Sequence, residues 1–178
     1  LPFNSIVTNG PVDILYTPNE SGSIQVVCDS NLAELIVTEV CNSILSVSVR
    51  GSFQTKNPIQ VICASPEINE AHVYGSGNII LNGIMANALF ISVHGSGDIE
   101  VSGSVRELRA SVQGSGDIDC TDCLTRTAEL SVDGSGDIAV VCKECLVASV
   151  NGSGDIRVKG SPQQVSQSCN GSGSIRVK

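Results

Sequence analysis

The tripeptide Gly-Ser-Gly begins at Gly75, Gly95, Gly114, Gly134, Gly152 and Gly171, at spacings of 20, 19, 20, 18 and 19 residues. A chain that repeats at this period buries the same face of every unit in the same way, so the repeat constrains the architecture before any local propensity is weighed. The flanking residues repeat as well: Val93-His94-Gly-Ser-Gly-Asp98-Ile99-Glu100-Val101 aligns with Val132-Asp133-Gly-Ser-Gly-Asp137-Ile138-Ala139-Val140. Stacking the repeats gives three apolar columns. The first is Val73, Val93, Val112, Val132, Val150 and Cys169. The second is Ile79, Ile99, Ile118, Ile138, Ile156 and Ile175, and the third is Leu81, Val101, Cys120, Val140, Val158 and Val177. A further apolar position, read at Leu108, Leu130, Leu146 and Val165, supplies a third segment to each unit.

Apolar and polar residues alternate on both sides of the glycines, the period of strands with one buried face. The chain holds 22 Val and 17 Ile, but only three Phe, two Tyr, one Met and no Trp. Such β-branched side chains suit a pleated surface and imply a narrow aliphatic interior. A 19-residue unit of about three short strands cannot bury its apolar face alone. Coiling resolves this: with one unit per turn, each Ile lies on the Ile of the next turn about 4.8 Å away. The expected fold is all-β, a single-stranded parallel β-helix with rungs of about 19 residues, right-handed in keeping with crossover chirality. A propeller blade needs about twice the length. The Leu-x-x-Leu-x-Leu pattern of leucine-rich repeats is missing, and spacings of 18 to 20 break the multiples of six of a hexapeptide helix.

Glycine takes positive φ freely and carries no side chain to collide with the next turn, so Gly-Ser-Gly reads as a corner device. A phosphate-cradling loop would lead into a helix bearing Lys-Ser/Thr and would not occur six times. Residues 1–68 repeat less clearly. Strand-like runs at 12–15, 24–28, 35–40, 44–49 and 59–63 are expected to form irregular N-terminal rungs, the echo of Gly173-Ser-Ile-Arg-Val177 in residues 22–26 included. Residues 69–178 form the regular ones, all within a single domain spanning 1–178.

Ten basic and 18 acidic residues give a net charge of −8. That balance repels phosphate backbones and anionic headgroups, which disfavours nucleic acid and membrane surfaces as partners. No apolar run is long enough to span a bilayer. The start at Leu1 without a leader and the eight cysteines suggest a mature exported product or excised domain in an oxidising compartment.

The Gly-Ser-Gly-Asp-Ile series, preceded by Phe3-Asn-Ser-Ile-Val-Thr-Asn-Gly-Pro-Val-Asp-Ile-Leu15 and by Ser43-Ile-Leu-Ser-Val47, resembles the family called putative auto-transporter adhesin, head GIN domain. The resemblance implies a right-handed β-helix on exported or surface proteins, with an adhesive role and no catalytic residues to carry over.

Several constellations invite chemistry. Cys120-x2-Cys123 and Cys142-x2-Cys145 match the spacing of a four-thiolate zinc site, but their separation is also one solenoid turn. An offset of two residues would bring Cys123 over Cys142, so cystines between rungs are expected in preference to zinc or free thiols. Cys28, Cys41 and Cys63 are candidates for another bridge, and Cys169 fits the buried Val column. The acidic column Asp98, Asp117, Asp137 and Asp155, flanked by Asn78 and Ser174, would place carboxylates about 5 Å apart, near the spacing of a retaining glycosidase pair. A catalytic pair should depart from the repeat, whereas this acid recurs in it. A turn role, with each carboxylate accepting backbone N–H groups, is therefore preferred to a calcium ladder or to catalysis. His94 belongs to an outward column with Tyr74, Gln113, Asp133, Asn151 and Asn170, and neither it nor His72 belongs to a catalytic motif. Three N-x-S/T sequons, at Asn19, Asn151 and Asn170, are candidate glycosylation sites. The last rung ends without a lid, which suggests end-to-end self-association or a docked partner. The functional expectation is a non-enzymatic, secreted or surface β-helix, structural or adhesive, whose partner is itself, another surface protein or a glycan. The alternative is a carbohydrate-binding or carbohydrate-active β-helix using the Asp face.

Overall fold

The computed structural model describes residues 2–20, 22–51 and 57–178. Its strands are β1 (Ser5–Asn9), β2 (Val12–Pro18), β3 (Ser23–Val27), β4 (Ile36–Cys41), β5 (Ile44–Val49), β6 (Ile59–Ser65), β7 (Glu70–Gly75), β8 (Ile79–Gly95), β9 (Ile99–Gly114), β10 (Ile118–Gly134), β11 (Ile138–Gly152), β12 (Asp155–Lys159), β13 (Gln164–Gly171) and β14 (Ser174–Val177). Among the described residues there is no helix. β7 through β14 pair in parallel from one turn to the next, making a β-solenoid of about five turns.

The register is the one the repeat demands. Ile79 pairs with Ile99, Ile99 with Ile118, Ile118 with Ile138, Ile138 with Ile156 and Ile156 with Ile175. The first five are fully buried, each such burial contributing about 1.5–3 kcal/mol. β8 to β11 are 17, 16, 17 and 15 residues long. Each begins four residues after the first corner glycine, so the variation in repeat length falls inside the strands. Register shifts between Leu81 and Ile84, Asp119 and Asp122, and Cys120 and Leu124 absorb it as bulges, leaving the corner constant.

The extra apolar position differs from the expectation in one repeat. Leu108 pairs with Leu89 and Ala128, and Ala128 with Leu146, whereas Leu130 pairs with Ala110 and Ala148. Leu130 therefore belongs to the neighbouring column, and its bulk sits where the adjacent turns carry alanine. The turn that lacks a leucine in one column supplies it in the next, which keeps the layer filled.

The N-terminal part departs from chain order. β1 lies between β5 and β7, parallel to both, and β2 lies between β6 and β8, again parallel. β1 and β2 form a rung whose corner is Gly10-Pro-Val-Asp-Ile14, where the Asp13 carboxylate accepts the Asn78 N–H at 2.9 Å. Residues 22–26 do not form a parallel turn. β3 runs antiparallel to β6 and β4 antiparallel to β5, so this layer closes the first end as a reversed cap. Leu32, in the turn between β3 and β4, is buried against the core.

Candidate functional site

Three features of the regular turns bear on function: the corner, the thiols and the outward flank of the strands that precede each corner.

At each regular corner both glycines lie too close to the preceding turn for a Cβ, and the first also needs a positive φ. The first has positive φ, from 122° at Gly171 to 143° at Gly134. The second has no room for a side chain: a Cβ on Gly97, Gly116, Gly136, Gly154 or Gly173 would stand 2.0 Å from the carbonyl oxygen of the equivalent glycine one turn before. Backbone thus packs on backbone. The Gly95 carbonyl accepts both the Ser115 N–H at 2.9 Å and the Gly116 N–H at 3.2 Å, and the pattern recurs along the corners.

The acidic column is part of this corner. Asn78 Oδ1 accepts the Asp98 N–H at 2.9 Å; Asp98, Asp117 and Asp137 accept the N–H of Asp117, Asp137 and Asp155 at 2.8 Å. Asp155 accepts both the Ser174 N–H and hydroxyl at 2.9 Å. The Ser174 hydroxyl, with lesser help from the Ser174 N–H, Arg157 and Arg176, holds the Asp155 carboxyl below the usual carboxylate range. Arg157 also pairs with Asp137 at 3.0 Å and with Asp155 at 3.3 Å. One oxygen of each acid is engaged in joining successive turns, the turn role argued from the sequence. Among the described residues no group of three or more His, Cys, Asp or Glu side chains is arranged to hold a metal ion.

All eight cysteines are free thiols. The bulge in β10 removes the expected contact: Cys123 pairs with Gly103, Cys142 with Thr125 and Cys145 with Thr127, so Cys123 does not lie over Cys142. Cys63, Cys120, Cys123 and Cys142 are buried. Burial pushes the Cys63 thiol up to about 12 and that of Cys123 to about 11, and raises Cys120 and Cys142 as well. These groups stay protonated at neutral pH and pack as small apolar side chains. Cys41 and Cys169 are exposed, and Cys28 and Cys145 half-buried.

The outward flank was only partly legible from the sequence. The column Tyr74, His94, Gln113, Asp133, Asn151 and Asn170 is in strict vertical register. Tyr74 and His94 stack at 4.9 Å with their rings 5° from parallel, and Asn151 Nδ2 donates to Asp133 Oδ1 at 3.1 Å. Two residues before it runs a second column, His72, Ser92, Ser111, Ser131, Ser149 and Ser168. Two residues earlier again runs a third: Glu70, Phe90, Arg109, Glu129, Val147 and Ser166. Ser111 and Ser131 are half-buried while Gln113, Asp133, Arg109 and Glu129 on either side are exposed, so small hydroxyls lie in a trough between taller side chains. His72 Nδ1 meets Ser92 Oγ at 2.7 Å, and burial lowers the imidazole pKa against the opposing pull of Glu70. Arg109 lies over Phe90 at 5.4 Å and pairs with Glu107 and Glu129. The serine column escaped sequence reading, although its signal, a Ser two positions before the outward column in five consecutive turns, is present.

Asn151 and Asn170 are exposed on this flank. Asn19 is exposed after β2, and Ser21 of its sequon lies outside the described residues.

A comparison with curated proteins finds no match. Solved structures do match. A putative adhesin from Bacteroides fragilis is 25% identical, with a TM-score of 0.81 over 100% of this chain and 93% of that one. A putative lipid binding protein from Parabacteroides distasonis is 26% identical, with a TM-score of 0.59 over 99% and 93%. A putative adhesin from the same organism is 23% identical, with a TM-score of 0.62 over 100% and 93%. The family model described as putative auto-transporter adhesin, head GIN domain, matches residues 2–162, and the chain belongs to that family.

Proposed function

We propose that this chain is a non-enzymatic adhesive module displayed outside the cell, and that the flank bearing the Tyr74 to Asn170 ladder is the surface that meets a glycan. The observation that carries the reading is the trough of serines walled by planar side chains, repeated every turn along the solenoid axis. The stacked Tyr74 and His94 rings present polar edges to a sugar, and planar amides and carboxylates beside them hydrogen-bond pairs of neighbouring hydroxyls. A ladder that repeats each turn suits an extended polysaccharide better than a compact ligand. Membership of the adhesin family and likeness to solved adhesins support the extracellular, non-catalytic part of the reading. The Asp column fits it less well, because one oxygen of each carboxylate is already bound to a backbone N–H of the next turn.

The test is adhesion of beads coated with the chain to immobilised xylan or β-glucan. Replacing Tyr74 and His94 together with alanine should reduce retention at least tenfold while the fold is kept. Equal retention by that variant, or loss on replacing Asp98 and Asp117 with asparagine instead, would move the contact off this flank.

A further inference from the structure

Asn-Gly is a reactive dipeptide, because a glycine nitrogen with no Cβ beside it can approach the side-chain amide carbon of the asparagine before it. The sequence contains it at Asn9-Gly10, Asn82-Gly83, Asn151-Gly152 and Asn170-Gly171. The first three lie within the stack, and their backbones are held very differently.

Asn9 is paired in register with Ser48 of β5 and Tyr74 of β7, and the Gly10 N–H donates to the Tyr74 carbonyl at 2.9 Å. Asn151-Gly152 is paired with Asp133-Gly134 on one side and with Asn170-Gly171 on the other, and Asn151 Nδ2 donates to Asp133 Oδ1 at 3.1 Å. Asn82-Gly83 sits instead in the bulge of β8. The register passes from Leu81 with Val101 straight to Ile84 with Gly103, so neither residue has a partner on β9. On the opposite side the pairing with β2 ends at Tyr16 and Leu81. A Cβ placed on Gly83 would meet only the Pro18 ring there, at 3.5 Å, and proline has no N–H to offer.

The Gly83 N–H is therefore left to a side chain, donating to Ser102 Oγ at 3.2 Å. Gly83 is exposed and has φ of 66°. Among the described residues the Asn82 amide has no hydrogen-bond partner. A ladder amide must break its pairing before it can react, whereas a bulge amide tied to one hydroxyl opens locally at little cost.

We propose that Asn82 is a site of spontaneous covalent modification in the folded chain. The Gly83 nitrogen gives up its proton to water and attacks Asn82 Cγ. A C–N bond forms, the bond from Cγ to Nδ2 breaks and ammonia departs with a proton, leaving a five-membered imide. Water then opens either imide C–N bond, giving aspartate or isoaspartate. One water is consumed and one ammonia released, and no oxidant or cofactor takes part. The product carboxylate enters a small cleft that Asn82 lines together with Glu100, Ser102, Asp119 and Asp122, and no base lines it. Each converted molecule thus carries added like-charge repulsion at the bulge, felt most at low salt. Asn82 follows its glycine corner whereas the Tyr74 to Asn170 ladder precedes the corners, so the site does not depend on the adhesive reading.

The experiment holds the 178-residue chain in mildly alkaline buffer at body temperature, folded or in urea, and maps its peptides by mass spectrometry over time. In the folded chain the Asn82 peptide should gain one mass unit and split into aspartate and isoaspartate forms at least fivefold faster than the peptides holding Asn9 or Asn151. In urea, where no ladder protects any of them, the three rates should draw together. Conversion of Asn9 or Asn151 as fast as Asn82 in the folded chain would overturn the proposal. So would an order of rates unchanged by urea, since sequence context rather than the bulge would then set it. An Asn82→Asp variant should melt below the unaltered chain at low salt, with the gap narrowing at high salt. A gap indifferent to salt would overturn the charge consequence drawn for the cleft.

Discussion

At the scale of the residue, neither glycine of a regular corner has room for a side chain, and the second shows this without the added demand of a positive φ. A Cβ on Gly116 would meet the Gly97 carbonyl oxygen at 2.0 Å and a Val93 methyl at 2.9 Å, and neither is the free end of a flexible side chain. Gly116→Ala should lower stability by about 3 kcal/mol or more in urea unfolding, in the range reserved for forced backbone displacement. Ser115→Ala, at the exposed middle of the same tripeptide, should change it by less than about 0.5 kcal/mol. Equal effects would mean that the corner is held by something other than backbone proximity. The corner role of glycine was legible because positive φ and close approach leave a mark at the same two positions in every turn. The thiols were not, since spacing cannot show a bulge: the register shifts after Cys120 move Cys123 away from Cys142.

At the scale of the element, the strands were legible where a turn resembles its neighbour and illegible where it compensates for one. Leu130 looked like the counterpart of Leu108 because both are leucines near the same place in the repeat, yet the register pairs Leu108 with Ala128. The physical constraint is total volume in a layer rather than identity in a column. Leu130→Ala alone should cost about 2–5 kcal/mol through the cavity it opens, and Ala128→Leu alone about 1–3 kcal/mol through overpacking. Together they recreate the arrangement of Leu108 and Ala110 one turn away, so the double variant should recover most of the loss. Urea denaturation of the four proteins checks this. An additive double variant would show that the two columns do not share space. The reversed direction of β3 and β4 was hidden for a related reason: Gly22-Ser-Ile-Gln-Val26 has the alternation of a solenoid strand, and alternation is the same for either direction.

For the whole molecule, stacked turns make stability a sum of local terms and nearest-neighbour contacts. Amide hydrogen exchange should therefore be slowest in β9 and β10, which have a turn on either side, and faster toward β13 and β14, whose residues are largely exposed. Uniform protection along the stack would indicate a single cooperative unit. The regular turns could be read from the sequence because contacts there join neighbours about 19 residues apart. The first end could not, because β1 and β2 are flanked by strands from later in the chain. That insertion has a consequence for biosynthesis and for truncation. The opening 18 residues leave the ribosome with neither neighbour yet made, and wait until about residue 81 before their slot has both walls. Deleting them would not shorten the tower by a storey at its foot; it would pull a floor out from the middle and leave the reversed cap with nothing to stand on.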